Sequence, residues 1–202
     1  MLVALAMPTV APAQGPLPSK RCDFTDPAVC LYPWPNDLFT KRDDSTPTGK
    51  RLHLRKVSMV RNKDNVPIDP ADINRADGFS PGSALLTKVP GLDTPEAALA
   101  SKLPPLTNLG AGLAKGSPVV VINARTGERH PIWAEIDSNP AAPADRVLII
   151  RPAVNFEEGQ RYIVALRRLK NAAGVEIEAH PNFKLYRDKI ATTDPKVERR
   201  RA

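Results

Sequence analysis

Proline is the feature that most limits what this chain can fold into. It accounts for 22 of the 202 residues, about twice the usual ~5%. Because proline has a fixed φ and no backbone N–H, it is excluded from helix interiors and from central strands. Proline and glycine together number 33 (22 + 11), about 16% of the chain and below the ~25–30% of low-complexity chains. The pattern therefore excludes a helical bundle and favours short elements joined by turns.

The part of the chain over residues 22–117 is loop-rich and carries three signatures of short helices. In each of them a residue that can act as an N-cap is followed by a proline at the first helical position, where the missing N–H costs nothing. We therefore expect short helices after Asp69, Ser80 and Thr94, and a weaker fourth helix between Leu106 and Ala114.

Residues 118–186 carry six short segments of apolar and β-branched residues, separated by turn signals about every ten residues. These segments are 119–122, 130–136, 146–151, 162–166, 175–178 and 183–186, and the first two read as a hairpin. The sequence therefore predicts a mainly β chain. We expect an Ig-like β-sandwich of six or seven strands, wrapped by a loop-rich N-terminal half that carries the short helices.

The first thirteen residues indicate the cellular location of the protein. An apolar run over 2–7 and the small residues at 11–13 are typical of a clipped signal peptide over 1–13, and a hydrophobic N-terminal strand is the alternative. The run is far shorter than the ~18 apolar residues that a membrane span needs. The sequence therefore predicts an exported protein, secreted, periplasmic or at the cell surface, without a membrane span.

The two cysteines are consistent with export. Cys22 and Cys30 lie close together in the sequence, and an even number of cysteines in an exported chain favours a disulfide. Free thiols and a metal site are the alternatives, although two thiols without a nearby histidine do not complete a tetrahedral zinc site.

The net charge is +7, from 29 basic and 22 acidic residues. Aromatic residues make up only 5% of the chain and are not interleaved with the basic runs, whereas nucleic-acid binders combine the two. We therefore expect no nucleic-acid partner, and at most weak contact with anionic surfaces.

One short segment matches a catalytic motif in its letters. Gly78 to Gly82 fits G-x-S-x-G, the nucleophile elbow of α/β-hydrolases, and Asp137 and His180 follow Ser80 in the order of that triad. The elbow needs the backbone N–H of the residue after the serine, and here that residue is Pro81, which has none. We therefore assign Ser80 to a helix cap and predict no catalytic residue, no cofactor and no metal ligand.

Two segments of the N-terminal half resemble the N-terminal domain of bacterial secreted virulence-factor lipases. One is the proline-flanked segment with Trp34, Asn36 and Asp37, and the other runs through Asp77, Gly78, Phe79 and Ser80. The second half, around Tyr162 and Gly174, is similar to the bacterial Ig-like pattern of surface-layer proteins. The two resemblances cover about residues 22–186, and they imply that these nine residues have structural roles.

The resemblance also implies a function. In such lipases the catalytic machinery lies in a later α/β-hydrolase-like domain, so we expect this chain to be a non-catalytic accessory module with a C-terminal hydrolase-like domain as its partner. An independent surface or adhesion module is the alternative. Residues 187–202 are polar and are interpreted as a truncated linker or helix start, poorly anchored without a following domain.

Overall fold

The computed structural model of the chain describes residues 30–195, 197 and 198. Within these ranges, seven short strands account for most of the regular structure: β1 (Thr40–Arg42), β2 (Lys50–Leu52), β3 (Leu85–Thr87), β4 (Val119–Asn123), β5 (Ile132–Ile136), β6 (Leu148–Pro152) and β7 (Tyr162–Leu166). Among residues 30–190, the α-helices are α1 (Pro95–Ser101), α2 (Gly110–Leu113) and α3 (Pro181–Arg187). Four 3-10 turns lie at Asp37–Phe39, Lys56–Ser58, Ile73–Arg75 and Pro143–Asp145.

All the strand pairs are antiparallel and form three small sheets. Strands β1 and β2 make a hairpin, β3, β6 and β5 make a three-stranded sheet in that order, and β4 pairs with β7. The structure thus contains the short antiparallel strands that the sequence predicts, in three small sheets with few helices.

One main core lies under strands of two of these sheets. Val119 and Val121 of β4 are buried together with Ile132 of β5 and with Leu148 and Ile150 of β6. These residues alternate along their strands, and alternate residues of a strand point to the same face. The inner faces of the β4–β7 pair and of the three-stranded sheet therefore supply the same hydrophobic core.

The N-terminal half is joined to this core through the sheet itself. Strand β3 pairs with β6, and Leu86 of β3 forms a bridge with Trp34 on its other side. The loop-rich part over 22–117 and the strand-rich part over 118–186 thus share one sheet, and the change of sequence character at residue 118 does not divide the hydrogen-bonded structure.

One of the predicted helix starts, that at Thr94, is confirmed, whereas the segment after Asp69 forms only a 3-10 turn that begins at Ile73 with Asp72 as its N-cap. The hydroxyl of Thr94 accepts a hydrogen bond from the N–H of Ala97 at 3.2 Å and caps α1. A carboxylate oxygen of Asp69 accepts from the N–H of Ala71 at 3.0 Å ahead of the 3-10 turn. The weaker helix between residues 106 and 114 is reduced to the single turn of α2.

The helix predicted after Ser80 is wrong. Residues 81 and 82 form a turn that leads into β3. The carbonyl of Pro81 accepts from the N–H of Phe156 at 3.0 Å and is not used in an intrahelical bond. A long-range backbone contact therefore replaces the local helix that the capping signature favours.

Two of the predicted strands are also wrong. Residues 183–186 lie in α3, which begins at Pro181 after His180, whose Nδ1 accepts from the N–H of Asn182 at 3.2 Å. The segment 175–178 makes only an isolated bridge, between Glu176 and Lys170, beyond a tight turn.

The hairpin predicted between the first two strands of the second half is formed only next to its turn. Arg129 bridges Ile122 of β4, but β5 then leaves β4 and pairs with β6 along its whole length. The chain therefore passes from one sheet to the other within residues 129–132.

The predicted signal peptide over 1–13 and Cys22 lie outside the described residues. Cys30 is buried, with 3% of its surface exposed, and is disulfide-bonded. The pairing of Cys22 with Cys30 stays a prediction. No helix in the described part of the chain combines the length and the apolar character needed to cross a bilayer.

Candidate functional site

The two N-terminal segments that carry the lipase resemblance meet in a second, smaller core. We call this the Trp34 cluster: buried Phe39, Leu54 and Met59, with partly buried Leu31, Trp34 and Phe79 packed against them. The Trp34 and Phe79 rings pack edge to face at a centroid distance of 5.1 Å, a favoured aromatic geometry. Trp34 also lies 5.8 Å from the ring of Phe39.

Asn36 and Asp37 fix the backbone beside this cluster. The side chain of Asn36 accepts from the N–H of Leu38 at 2.7 Å and donates to the carbonyl of Pro33 at 2.9 Å. The carboxylate of Asp37 pairs with Lys50 at 3.0 Å and with Arg161 at 3.5 Å. Asp37 therefore links the turn after Trp34 to β2 and to the residue that precedes β7.

The second resemblance segment contributes through Phe79 more than through its neighbours. Asp77 accepts a hydrogen bond at its carbonyl from the hydroxyl of Thr48 at 2.6 Å. A Cβ built on Gly78 meets nothing within 4 Å, and Gly78 has no positive φ, so the structure gives no steric reason for a glycine there. Ser80 is exposed, and no helix begins after it.

Ser80, Asp137 and His180, which follow one another in the order of a catalytic triad, are not assembled into one; the two latter side chains have other partners. Asp137 accepts from the N–H and the side-chain amide of Asn139 at 3.0 and 2.8 Å. His180 caps α3. Ser80 is followed by a proline, so the backbone donor of an oxyanion hole is missing.

An aromatic group surrounds the start of β7. The rings of His130, Phe156 and Tyr162 lie within 4.5–5.3 Å of one another. The hydroxyl of Tyr162 accepts from the N–H of Glu157 at 3.1 Å, and Nε2 of His130 lies 2.8 Å from the carbonyl of Val154. Tyr162 thus ties the start of β7 to the loop that precedes it.

Gly174 has a conformational role. Its φ is +78°, and its N–H donates to the carbonyl of Asn171 at 2.9 Å in the turn before the Glu176 bridge. Glycine adopts this left-handed region without the steric cost that a Cβ brings.

Sequence reasoning missed the exposure of four leucines on the segment between α1 and the end of α2. We call these leucines the leucine face; they are Leu99, Leu106, Leu109 and Leu113, which are 81%, 61%, 38% and 43% exposed. Gly112 presses α2 against β5, where a Cβ would lie 2.6 Å from the carbonyl oxygen of Ile132, and the leucines remain in solvent. Leu106 and Leu109 precede the single turn of α2 (Gly110–Leu113), so the spacing of the leucines was not a helical signal for this face.

Three arginines surround the loop that follows α2. Arg167 donates to the carbonyls of Ser117 and Lys115 at 2.9 and 2.6 Å, and Arg168 donates to the carbonyl of Gly116 at 3.2 Å. Arg129 donates to the carbonyls of residues 113 and 114. We call Arg167, Arg168 and Lys115 the basic end of sheet β4–β7; within the described ranges, no carboxylate forms a salt bridge with these three residues or with Arg129, which lies on the other side of β4.

The residues between 30 and 198 that the structure describes contain no group of three or more histidine, cysteine, aspartate or glutamate side chains placed to hold a metal ion. No family model, curated protein or solved structure matches this chain.

Proposed function

We propose that this chain is a non-catalytic accessory module of an exported lipase-like or hydrolase-like protein. The observation that carries the proposal is the Trp34 cluster. The two segments that resemble the lipase N-terminal domain are about forty residues apart in sequence, and they pack together through Trp34 and Phe79. Most of the motif residues are thereby engaged in holding the structure and are not gathered around a reactive group.

We also propose the Ig-like β-sandwich as the finer description of the fold. Two observations support it. The inner faces of the two larger sheets contribute to one core, as in sandwiches. The contact of the Tyr162 hydroxyl with the backbone five residues upstream is similar to the tyrosine corner of Ig domains.

The leucine face supports a role beside another domain. Soluble proteins leave scattered leucines in solvent, but several large ones on one short segment are typical of an interaction surface. We propose that this face covers part of a hydrolase-like domain and shapes access to it or stabilises it.

Two experiments test the proposal. The purified chain is incubated with p-nitrophenyl esters of short and long acyl chains and with a serine-reactive fluorophosphonate. We expect neither hydrolysis nor labelling, and stoichiometric labelling of Ser80 would overturn the non-catalytic assignment.

The second experiment places Leu113→Glu in a hydrolase-like protein that contains this chain, with Val60→Glu as the matched control, since Val60 is also well exposed at 61%. We expect Leu113→Glu alone to lower the thermal stability of ester hydrolysis or to change its acyl-chain preference. Equal behaviour of the two variants, with no hydrolase activity to change, would favour an independent surface or adhesion module.

A further inference from the structure

Strand β7 has an open edge. The hydrogen bonds at its two ends give the pattern along the strand. The carbonyl of Arg161, just before β7, accepts from the N–H of Ala124 at 2.9 Å, and the N–H of Arg167, just after β7, donates to the carbonyl of Pro118 at 3.0 Å. In an antiparallel ladder, every second residue faces the same neighbour. The N–H and carbonyl groups of Tyr162, Val164 and Leu166 therefore point away from β4, and no described strand pairs with them.

The side chains of this edge are apolar and accessible. Ile163 is 50% exposed and Val164 is 42% exposed, on opposite faces of the strand, since successive side chains alternate. Natural edge strands are usually blunted by charge, by proline or by a bulge. Residues 162–166 contain no charge and no proline.

The two ends of this edge differ in charge. The basic end lies at the Leu166 end of β7, where Lys115, Arg167 and Arg168 form no salt bridge with a described carboxylate. At the Tyr162 end, Arg161 pairs with Asp37 at 3.5 Å, and Glu157 pairs with Arg125 at 3.5 Å. Only one end of the strand thus offers uncompensated positive charge.

We propose that the open edge of β7 binds an extended segment of a partner protein by β-strand addition. The occupant has acidic residues at its amino end followed by alternating apolar residues. Such a segment, antiparallel to β7, places its acidic residues at the basic end and its backbone against Val164 and Leu166. This mode combines main-chain hydrogen bonds for affinity with side-chain complementarity for specificity.

The charges argue against a second copy of this chain as the occupant. A symmetric antiparallel pair centred on Val164 places Arg161 of one copy opposite Arg167 of the other. Like charges directly opposite on neighbouring strands are destabilising. The proposed interaction is independent of any hydrolase domain.

The test uses the peptide DDETVTVTV as the probe and the basic peptide KKRTVTVTV as its matched counterpart. Amide hydrogen exchange is followed with and without peptide. We expect DDETVTVTV to slow exchange at Val164 and Leu166 while exchange at Ile163, already bonded to β4, changes little. We expect the basic peptide to bind at least ~10-fold more weakly. We also expect higher salt to lower the affinity of the acidic peptide, because salt screens the exposed charges.

Two variants sharpen the result. Val164→Pro removes an outward N–H at an edge position where proline is tolerated, and it should abolish binding. Lys115→Glu should lower the affinity for DDETVTVTV by about fivefold, which corresponds to the free energy of an exposed charge pair. Lys63→Glu makes the same charge change outside sheet β4–β7 and should have no effect.

Several results overturn the proposal. They are the absence of binding, binding that leaves exchange at Val164 and Leu166 unchanged, and equal affinity for the acidic and basic peptides. Concentration-dependent dimerisation that protects the same two amides without peptide would assign the edge to a second copy. Because the exchange experiment uses the unaltered chain, it decides the matter even if Val164→Pro fails to fold.

Discussion

Gly112 is the residue at which the addition of one methyl group is expected to destabilise the fold most clearly. The ideal Cβ would lie 2.6 Å from the carbonyl oxygen of Ile132, and backbone atoms of a paired strand cannot move freely. We expect Gly112→Ala to lower the free energy of unfolding by about 1–3 kcal/mol, the usual range for overpacking, despite the better helix propensity of alanine. Chemical denaturation measures the change.

Gly78→Ala is the control for this substitution. Gly78 has open space around its Cβ position and no positive φ, so alanine should be tolerated within about 0.5 kcal/mol. Equal losses at the two positions would contradict the close approach of α2 to β5.

Ser80 and Thr94 form a second pair with the same local sequence signature and different outcomes. Thr94 caps a real helix, so Thr94→Ala should cost about 1 kcal/mol. Ser80 caps none, and Ser80→Ala should stay within about 0.5 kcal/mol. Denaturant midpoints of the two variants test this, and a larger loss for Ser80→Ala would mean that its hydroxyl has a bond in solution.

At the scale of elements, the carboxylate of Asp43 links β2 to the loop of the β1–β2 hairpin. Asp43 accepts from the hydroxyl of Ser45 at 2.5 Å and from Nε of Arg51 at 2.6 Å. These hydrogen bonds, that of the Ser45 hydroxyl first, hold the pKa of Asp43 far below its ordinary value of 3.8. A depressed carboxylate pKa stabilises the folded state above the unfolded pKa, and this stabilisation is lost as the pH falls.

We therefore expect Asp43→Asn to reduce stability at neutral pH and to flatten the dependence of stability on pH below about pH 4. Ser45→Ala, which removes the largest cause, should raise the pKa of Asp43. Carboxyl chemical shifts measured by NMR across an acid titration give this pKa directly. An unchanged midpoint in Ser45→Ala would assign the shift to Arg51 and to the backbone N–H of residue 45, which also donates to Asp43 at 3.1 Å.

Strands with continuous apolar, β-branched sequences could be predicted, whereas elements that form only through contacts with residues distant in the sequence could not. The runs at 119–122 and 162–166 gave β4 and β7 nearly to the residue, because β-branched residues in short apolar runs have few other solutions. Strand β3 was missed, since its three residues pair only through β6 and Trp34. Phe183 and Leu185 alternate as in a strand, but the start at His180 and Pro181 favours the helix α3, and it was the same proline signal that identified α1.

The residues of the Trp34 cluster could be predicted from the sequence, but the basic end of sheet β4–β7 could not. Trp34 and Phe79 were singled out from the sequence, and the structure brings them together. The basic end was missed because its residues are spread over 115–168 and meet only at the carbonyls of residues 115–117. A charge pattern of that kind becomes visible only when the loop before β4 is placed beside the end of β7.

At the scale of the whole molecule, the shared sheet couples the two halves. Because Trp34 belongs to the small cluster and its backbone pairs with Leu86 of β3, loss of the cluster should weaken the sheet as well. We expect Phe79→Ala to cost about 2 kcal/mol, less than a fully buried phenylalanine. The loss should appear in one cooperative transition, and calorimetry with two separate transitions would contradict this coupling.

The positions of the only two tryptophans give the molecule a pair of natural optical reporters. Trp34 lies in the small N-terminal cluster, whereas Trp133 lies on β5 beside Arg151 and lines a groove on the three-stranded sheet. Trp34→Phe and Trp133→Phe each leave a single emitter, one for each half. Coincident emission curves during denaturation would show that both halves unfold together, and quenching of the Trp133 emitter alone would reveal a ligand in its groove.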